Sequence, residues 1–112
     1  MKNLLKKIFY RSFEDKEISY KDLTTLMKDK KVFLIDVRSN QEYEEGHLDG
    51  AINIPLFNIE RDIEKAVKSK QDTVILYCAK GIRSLEAKKI LENLGYERVY
   101  NLKGGIDKIW VK

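Results

Sequence analysis

The chain contains short apolar runs of strand length, which alternate with segments whose apolar residues recur at helical spacing. The runs with strand character cover residues 17–19, 32–35, 51–54, 73–77 and 97–101. Those at 32–35 and 73–77 contain no alternating polar residues, which is typical of strands buried on both faces, as in a parallel sheet. This pattern predicts an α/β fold of three layers, in which a central, mostly parallel sheet has helices on both faces.

Serine and glycine residues mark where the predicted helices begin and end. Ser19, Ser39 and Ser84 each stand at the start of a helical segment, where a serine side chain can accept a hydrogen bond from a free backbone amide. Gly46 and Gly95 end two of the helices. The predicted helices cover residues 20–28, 41–45, 59–67 and 85–94, with a final turn or helix that ends near residue 110.

The only cysteine, Cys78, lies where the predicted strand 73–77 ends and a helix begins. A helix N-terminus presents unpaired N–H groups and a partial positive charge, so this junction favours an anion. A thiol with an ordinary pKa of about 8.5 is only slightly ionised at pH 7, and Lys80 and Arg83 would favour the thiolate. Gly81 would let the loop amides converge on the sulfur. The sequence therefore predicts a reactive thiolate with a lowered pKa rather than an inert buried cysteine.

The composition is that of one domain with its own core. The chain has 112 residues, of which 43% are hydrophobic, and this size is sufficient for independent folding. With a single cysteine, neither an intrachain disulfide nor a zinc site built from cysteine pairs is expected. The predicted compartment is therefore a reducing one, the cytoplasm. We predict no metal and no cofactor.

Positive charge is concentrated at the start of the chain. Four of the 22 basic residues precede the first acidic residue, Glu14, and the other 18 balance the 18 acidic residues. A nucleic-acid-binding surface normally has a basic face with aromatic residues between the cations. We therefore predict no nucleic-acid partner for the body of the protein.

Residues 1–13 form a predicted basic amphipathic arm, and residues 14–112 form the domain itself. On a helical wheel the apolar side chains of the arm lie on one half, opposite Lys6, Lys7 and Arg11. Lys6 and Lys7 interrupt the apolar stretch, so the arm does not have the form of a signal peptide. The arm either packs on the domain, frays, or contacts a membrane surface or a partner. Membrane contact is not favoured, because one short segment binds a membrane weakly.

Three separated motifs are informative together. The first is DVR at 36–38, followed by EY at 42–43 and GHLDGAINIP at 46–55. The second is CAKGIRS at 78–84, and the third is LKGG at 102–105 with Trp110. In this order and spacing they resemble the N-terminal signature, the active-site loop (C-x-x-G-x-R-S) and the closing segment of the single-domain rhodanese family of sulfurtransferases. The resemblance covers the chain from about residue 18 to residue 110.

The resemblance implies a rhodanese-like fold and the transfer of sulfane sulfur, with Cys78 as the nucleophile that becomes a persulfide. The donor would be thiosulfate or a persulfide, and the acceptor would be cyanide, a small thiol or an acceptor protein. Amides of the loop would stabilise the persulfide anion, and its two cations would hold the anionic donor. The substrate-binding residues would be those of the loop: Ala79, Lys80, Gly81, Ile82, Arg83 and Ser84.

Two alternative functions remain open. In the first, the domain keeps the fold without turnover and acts as a sulfur carrier or a regulatory protein-binding module, with Cys78 as a docking or redox-sensing thiol. In the second, it is a cysteine-dependent phosphatase or an arsenate reductase. The spacing disfavours the second alternative, because the phosphatase loop is C-x5-R and here the arginine comes one residue sooner. Arsenate reduction would also usually need a second thiol, and the chain has one cysteine.

The other motif residues are predicted to be structural. Asp36 and Arg38 would act as a scaffold for the pocket, through an ion pair with each other or with Glu42. His47 would bond to the backbone of its turn rather than act as a general base. Tyr77 would pack in the core on the face opposite the cysteine. Backbone conformation and terminal packing would account for Gly104, Gly105 and Trp110.

Overall fold

The computed structural model describes residues 17–109, so the predicted arm at residues 1–13 and Trp110 lie outside the described residues. None of the helices within this range is both long enough and apolar enough to span a bilayer. The elements, in chain order, are β1 (Glu17–Ile18), α1 (Tyr20–Leu26), β2 (Val32–Asp36), α2 (Asn40–Glu45), β3 (Ala51–Asn53), a 3₁₀ helix (Leu56–Asn58), α3 (Ile59–Ala66), β4 (Thr73–Tyr77), α4 (Arg83–Asn93), β5 (Arg98–Leu102) and α5 (Gly105–Ile109).

The strands of the described range form one sheet in the order β1-β5-β4-β2-β3, and every neighbouring pair is parallel. The central strand is β4, all of whose residues are buried. Its apolar run without polar alternation is explained by this position, because both faces and both edges of β4 are covered. The predicted parallel sheet is confirmed.

Apolar side chains pack on both faces of the sheet. On one face, Leu76 of β4 belongs to a buried cluster that includes Ile63 of α3 and Leu91 of α4. On the other face, Ile75 belongs to a cluster that includes Leu23 of α1, together with residues of α5. Burying a side chain of this size contributes about 1.5–3 kcal/mol, so both helical layers are held to the sheet by their apolar stripes. The predicted three-layer α/β fold is confirmed.

Two of the three predicted serine caps are confirmed. Ser19 caps α1, and Ser39 caps α2 in a capping box with Glu42. Ser84 does not cap α4, because that helix begins at Arg83, one residue before Ser84, and its N-cap residue, Ile82, makes no side-chain capping hydrogen bond. The prediction for Ser84 was wrong, since its buried hydroxyl makes other contacts that are described below.

The parallel topology decides where the polar motifs meet. Tyr77 is the last residue of β4 and lies in register beside Asp36, the last residue of β2. Carboxyl ends of neighbouring parallel strands share one edge of a sheet, and sites in α/β folds form at this edge. The loop that begins at Cys78 and the DVR motif that begins at Asp36 therefore lie at the same edge.

Candidate active site

The sulfur of Cys78 lies beyond the end of β4, beneath a set of hydrogen-bond donors. The backbone amide of Gly81 donates to Sγ at 3.1 Å and that of Ser84 at 3.4 Å. The residue is 1% exposed, and its other side packs in the apolar cluster beneath α3 and α4. The sulfur is therefore enclosed by hydrocarbon on one side and by amides on the other.

The loop conformation depends on a glycine. Gly81 has φ +94°, in the left-handed region that residues with a Cβ rarely adopt. This conformation turns the chain back so that the amides of Gly81 and Ser84 both face Sγ. The convergence of amides that the sequence predicts is present in the structure.

The first turn of α5 supports the loop from the other side. The amide of Ile106 donates to the carbonyl of Cys78, and that of Asp107 donates to the carbonyl of Ala79, both at 3.0 Å. Because the carbonyl and the following N–H of a trans peptide point in opposite directions, fixing the Ala79 carbonyl directs the Lys80 amide away from α5. The Lys80 amide is among the groups that lower the pKa of Cys78.

Close packing makes this support rigid. Gly105 approaches the loop so closely that a Cβ on it would lie 2.3 Å from the carbonyl oxygen of Ala79. Gly105 also has φ +66°. The LKGG motif therefore fixes the backbone of the cysteine loop, which is the structural role predicted for its glycines.

The pKa of Cys78 is set by two opposing effects. Burial alone would raise the pKa of the thiol, because the thiolate loses its hydration. The hydrogen bonds from the Ser84 hydroxyl and from the amides of Ser84, Gly81 and Lys80 favour the thiolate more strongly, so the pKa of Cys78 lies below its ordinary value. This is the direction that the sequence predicts.

The hydroxyl of Ser84 lies between Cys78 and Asn101. Its Oγ is 3.4 Å from Sγ of Cys78 and 2.5 Å from Oδ1 of Asn101, and all three residues are buried. Asn101 is on β5 in register beside Leu76, so it shares a sheet face with Cys78. Asn101 is not among the site residues that the sequence predicts. The available signal was an amide side chain near the end of an apolar strand, where a buried polar group needs a partner.

Arg83 does not present a free cation to the loop. Its Nη1 donates to Oε1 of Glu42 at 2.8 Å, and its Nη2 donates to Oε2 at 3.0 Å. The hydrogen bond from Arg83 lowers the pKa of Glu42 to about 2, so the carboxylate is ionised at neutral pH. The pair joins α4 to α2 across 41 residues of sequence. Nothing in the local pattern of either helix indicates this contact.

Asp36 and Arg38 pair with each other, which confirms the first of the two pairings predicted for them. Arg38 Nη2 lies 2.7 Å from Oδ2 of Asp36 and also donates to the carbonyl of Gly46 at 2.7 Å. Both residues are buried, and the guanidinium lies 5.7 Å from the ring centroid of Tyr77. The pair thus ties the end of β2 to the end of α2, the helix that carries Glu42.

The other loop and turn residues have simple environments. Ile82 is 75% exposed, and Lys80 is exposed at the rim of the loop. The ring of His47 donates through Nδ1 to the carbonyl of Tyr43 at 2.9 Å and stacks on the Tyr43 ring. This backbone bond is the structural arrangement predicted for His47. Within residues 17–109, no group of three or more His, Cys, Asp or Glu side chains is arranged to hold a metal ion.

Comparison with known families agrees with this architecture. The model of the rhodanese-like domain family matches residues 19–112. The chain belongs to the rhodanese-like domain family.

Its relatives include two kinds of protein. Thiosulfate sulfurtransferase PspE of Escherichia coli is 47% identical over 70 residues, which cover 62% of this chain and 67% of PspE. A tRNA uridine(34) hydroxylase of Buchnera aphidicola is 38% identical over 98 residues, which cover 81% of this chain but only 30% of the hydroxylase.

Solved structures show the same fold. An E. coli structure described as a rhodanese with anions superposes with a TM-score of 0.65 at 45% identity, covering 68% of this chain and 89% of that one. The human single domain sulfurtransferase TSTD1 superposes with a TM-score of 0.72, covering 87% of this chain and 97% of that one. At 24% identity the second likeness shows the fold alone. The predicted rhodanese fold is confirmed.

Proposed function

We propose that this rhodanese-like domain is a sulfurtransferase that carries sulfane sulfur as a persulfide on Cys78. The observation that carries the proposal is the convergence of backbone amides and the Ser84 hydroxyl on one buried sulfur. The similarity to a thiosulfate sulfurtransferase supports this reaction. The likeness to a structure described as a rhodanese with anions supports an anionic ligand.

The proposed reaction has two steps. The Cys78 thiolate attacks the outer sulfur of thiosulfate, a new S–S bond forms to Cys78, and the S–S bond of thiosulfate breaks as sulfite leaves with its electron pair. A nucleophilic acceptor such as cyanide or a thiolate then attacks the outer sulfur of the persulfide. This second step restores the Cys78 thiolate. A persulfide donor would load Cys78 in the same way, with a thiolate as the leaving group.

The site favours this chemistry because the group on Cys78 is an anion before and after each transfer, first as a thiolate and then as a persulfide. No proton has to be moved in either step, so a general base is not required. Hydrogen bonds to a charged acceptor contribute about 1.5–3 kcal/mol each, and the loop supplies fixed backbone donors that need no reorganisation. The donor must approach from the loop, since the opposite side of Cys78 is packed core.

Donor binding is the role we propose for Lys80 and Arg83. The Arg83 charge is largely balanced by Glu42, so the exposed Lys80 carries the uncompensated charge of this pair of cations. A dianionic donor would compete with Glu42 for the Arg83 guanidinium, whereas a neutral persulfide donor would not. The remaining loop residues, Ala79, Gly81 and Ile82, would contribute backbone and rim contacts.

A second candidate function is a sulfur carrier or protein-binding module without turnover. It is favoured by the similarity to a tRNA uridine(34) hydroxylase, which is not named for sulfur transfer and of which this chain spans less than a third. In that case the acceptor would be a protein. In both cases we propose a reducing compartment, such as the cytoplasm, because an unpaired cysteine is kept as a free thiol there.

Intact mass after thiosulfate treatment tests the proposal. We expect one added sulfur atom on the wild-type chain, its loss on reduction or with cyanide, and no addition to Cys78→Ala. Absence of the adduct with both thiosulfate and a persulfide donor would exclude the sulfurtransferase. Loading without release to cyanide or small thiols would support the carrier instead.

The role of Arg83 is tested by comparing two donors. We expect Arg83→Ala to lower kcat/KM for thiosulfate by about tenfold or more, while a neutral persulfide donor is affected much less, because only thiosulfate needs the cation. Arg61→Ala is the matched control, since Arg61 is an exposed arginine paired with its neighbour Asp62. Equal losses with both donors would show that Arg83 acts through its ion pair with Glu42 rather than through the substrate.

A further inference from the structure

The hydroxyl of Ser84 has one hydrogen and two neighbours that can accept it. Oδ1 of Asn101, 2.5 Å from Oγ, is a carbonyl oxygen and can only accept, so the hydrogen of Ser84 lies between these two oxygens. The contact between Oγ and Sγ of Cys78, at 3.4 Å, must then be donated by the thiol S–H. This arrangement satisfies all three groups only while Cys78 is protonated.

Ionisation of Cys78 changes the hydrogen-bond role of the Ser84 hydroxyl toward the sulfur from acceptor to donor. A thiolate or a persulfide anion can only accept, and a hydroxyl turned toward Asn101 would face it with a lone pair. The Ser84 hydroxyl must therefore donate to Sγ instead. Oδ1 of the buried Asn101 would then lose the hydrogen bond that it accepts from Ser84. An unpaired buried carbonyl costs about 1–3 kcal/mol.

An asparagine can remove this cost by turning its amide. Rotation by half a turn exchanges Oδ1 for Nδ2, which is nearly the same size and carries two hydrogens. The amide N–H would then donate to Oγ of Ser84, and the Ser84 hydroxyl would donate to the sulfur. Neither aspartate nor an apolar residue can serve both states in this way.

We propose that Asn101 is a positioning residue for sulfur transfer, whose amide turns to set whether the Ser84 hydroxyl accepts from the Cys78 thiol or donates to its anion. The proposal rests on the proposed function for its place in the reaction. The coupling of Asn101 and Ser84 to the ionisation of Cys78 can be measured without any sulfur donor.

Other charges near the thiol are the same in every variant that the test needs. They are the Asp36–Arg38 and Glu42–Arg83 ion pairs, the exposed Lys80 and, on α5, Asp107. Because none of them is changed, differences between variants report the hydrogen bonds of Ser84 and the charge introduced at position 101.

The test is a double-mutant cycle on the pH dependence of Cys78 alkylation. Asn101→Asp should move the pH midpoint upward, because a carboxylate holds the Ser84 hydrogen and also repels the thiolate. Ser84→Ala should slow alkylation at pH 7 by about tenfold, the value of one hydrogen bond to a charged group. If Asn101 acts through Ser84, Asn101→Asp shifts the midpoint clearly less in the Ser84→Ala background, where only charge repulsion remains. Equal shifts in both backgrounds would overturn the proposal.

A second measurement does not depend on a variant at position 101. In a pH titration of the wild-type chain, the ¹⁵N and ¹H chemical shifts of the Asn101 side-chain amide should change with the same pH midpoint as Cys78 ionisation. In Ser84→Ala these shifts should no longer change at the midpoint of Cys78 ionisation. Signals that do not respond in the wild type would contradict a turning amide. Coupling in these experiments without any persulfide adduct would remove the proposed sulfur transfer and leave the control of Cys78 ionisation standing.

Discussion

Tyr77 and Cys78 are successive residues at the end of the same strand, and their environments have opposite effects on acidity. Both side chains are buried weak acids, and burial by itself raises the pKa of each. The Tyr77 hydroxyl oxygen accepts one backbone hydrogen bond, from Leu48 at 3.0 Å, and faces the negative charge of Asp36, so its pKa is raised well above the ordinary value. Cys78 accepts hydrogen bonds from several donors, and its pKa is lowered.

The comparison shows that burial alone does not make a reactive group. Because successive side chains of a strand point to opposite faces, Tyr77 enters the cluster with α1 and α5, while Cys78 turns toward the loop and the start of α4. The difference in acidity comes from the number of hydrogen-bond donors aimed at each atom and from the Asp36 carboxylate beside Tyr77. That number is set by the turn after β4 and by the LKGG segment that supports it.

Gly105→Ala should have the largest effect on the difference in acidity between Tyr77 and Cys78. Its Cβ would collide with the carbonyl of Ala79, so the loop must shift and the amides must turn away from Sγ. We expect a loss of about 2–4 kcal/mol of stability and alkylation of Cys78 at pH 7 slowed by about tenfold or more. Thermal unfolding and alkylation rates measure the two effects.

Gly95→Ala is the matched control for Gly105→Ala. Gly95 also has a positive φ, of +99°, but a Cβ there would have no atom within 4 Å. It should lose about 1 kcal/mol through backbone strain with no change in alkylation. A similar fall in alkylation for both variants would mean that general destabilisation, rather than loop geometry, governs the thiol.

Tyr77→Phe should affect stability without affecting Cys78. It leaves the buried amide of Leu48 without its acceptor, which costs about 1–3 kcal/mol. Because the change lies on the opposite face of the sheet, we expect the pH midpoint of Cys78 alkylation to stay where it is. A shifted midpoint would show that the two faces are coupled through the strand end.

Glu42→Gln should have the smallest effect. Glutamine can still accept in the capping box with Ser39, so only the charge opposite Arg83 is lost, and a pair this exposed contributes less than about 1 kcal/mol. The pKa of Glu42 is lowered in the folded state to about 2 from its ordinary 4.5. Its stabilisation is therefore present above about pH 4.5 and is lost as the pH falls toward 2.

Chemical unfolding between pH 2 and 7 checks this expectation. The wild-type and Glu42→Gln curves should converge in acid and differ at neutral pH. Glu44→Gln, an exposed position on the same helix, is the control and should follow the wild type throughout. A constant difference at every pH would attribute the effect to the cap instead of the ion pair.

The sequence predicted much of the loop because local rules govern it. An apolar run ending at Tyr77, a glycine three residues after Cys78 and a helical pattern beyond them specify a strand, a turn and a helix without reference to the rest of the chain. The Asp36–Arg38 pair was predictable for the same reason, since its members are two residues apart. The failed cap at Ser84 was also a local prediction, and a long-range partner, Asn101, overrode it.

Two decisive contacts came only from the tertiary structure. Arg83 meets Glu42 because α4 and α2 lie side by side, and Ser84 meets Asn101 because β5 pairs with β4 in one particular register. A shift of that register by one residue would send Asn101 to the other face. The sequence by itself determined the fold class, the thiol and the amides around it, because these depend on neighbours along the chain. Which side chains complete the site was decided by strand register and helix packing, which bring together residues that no local pattern connects.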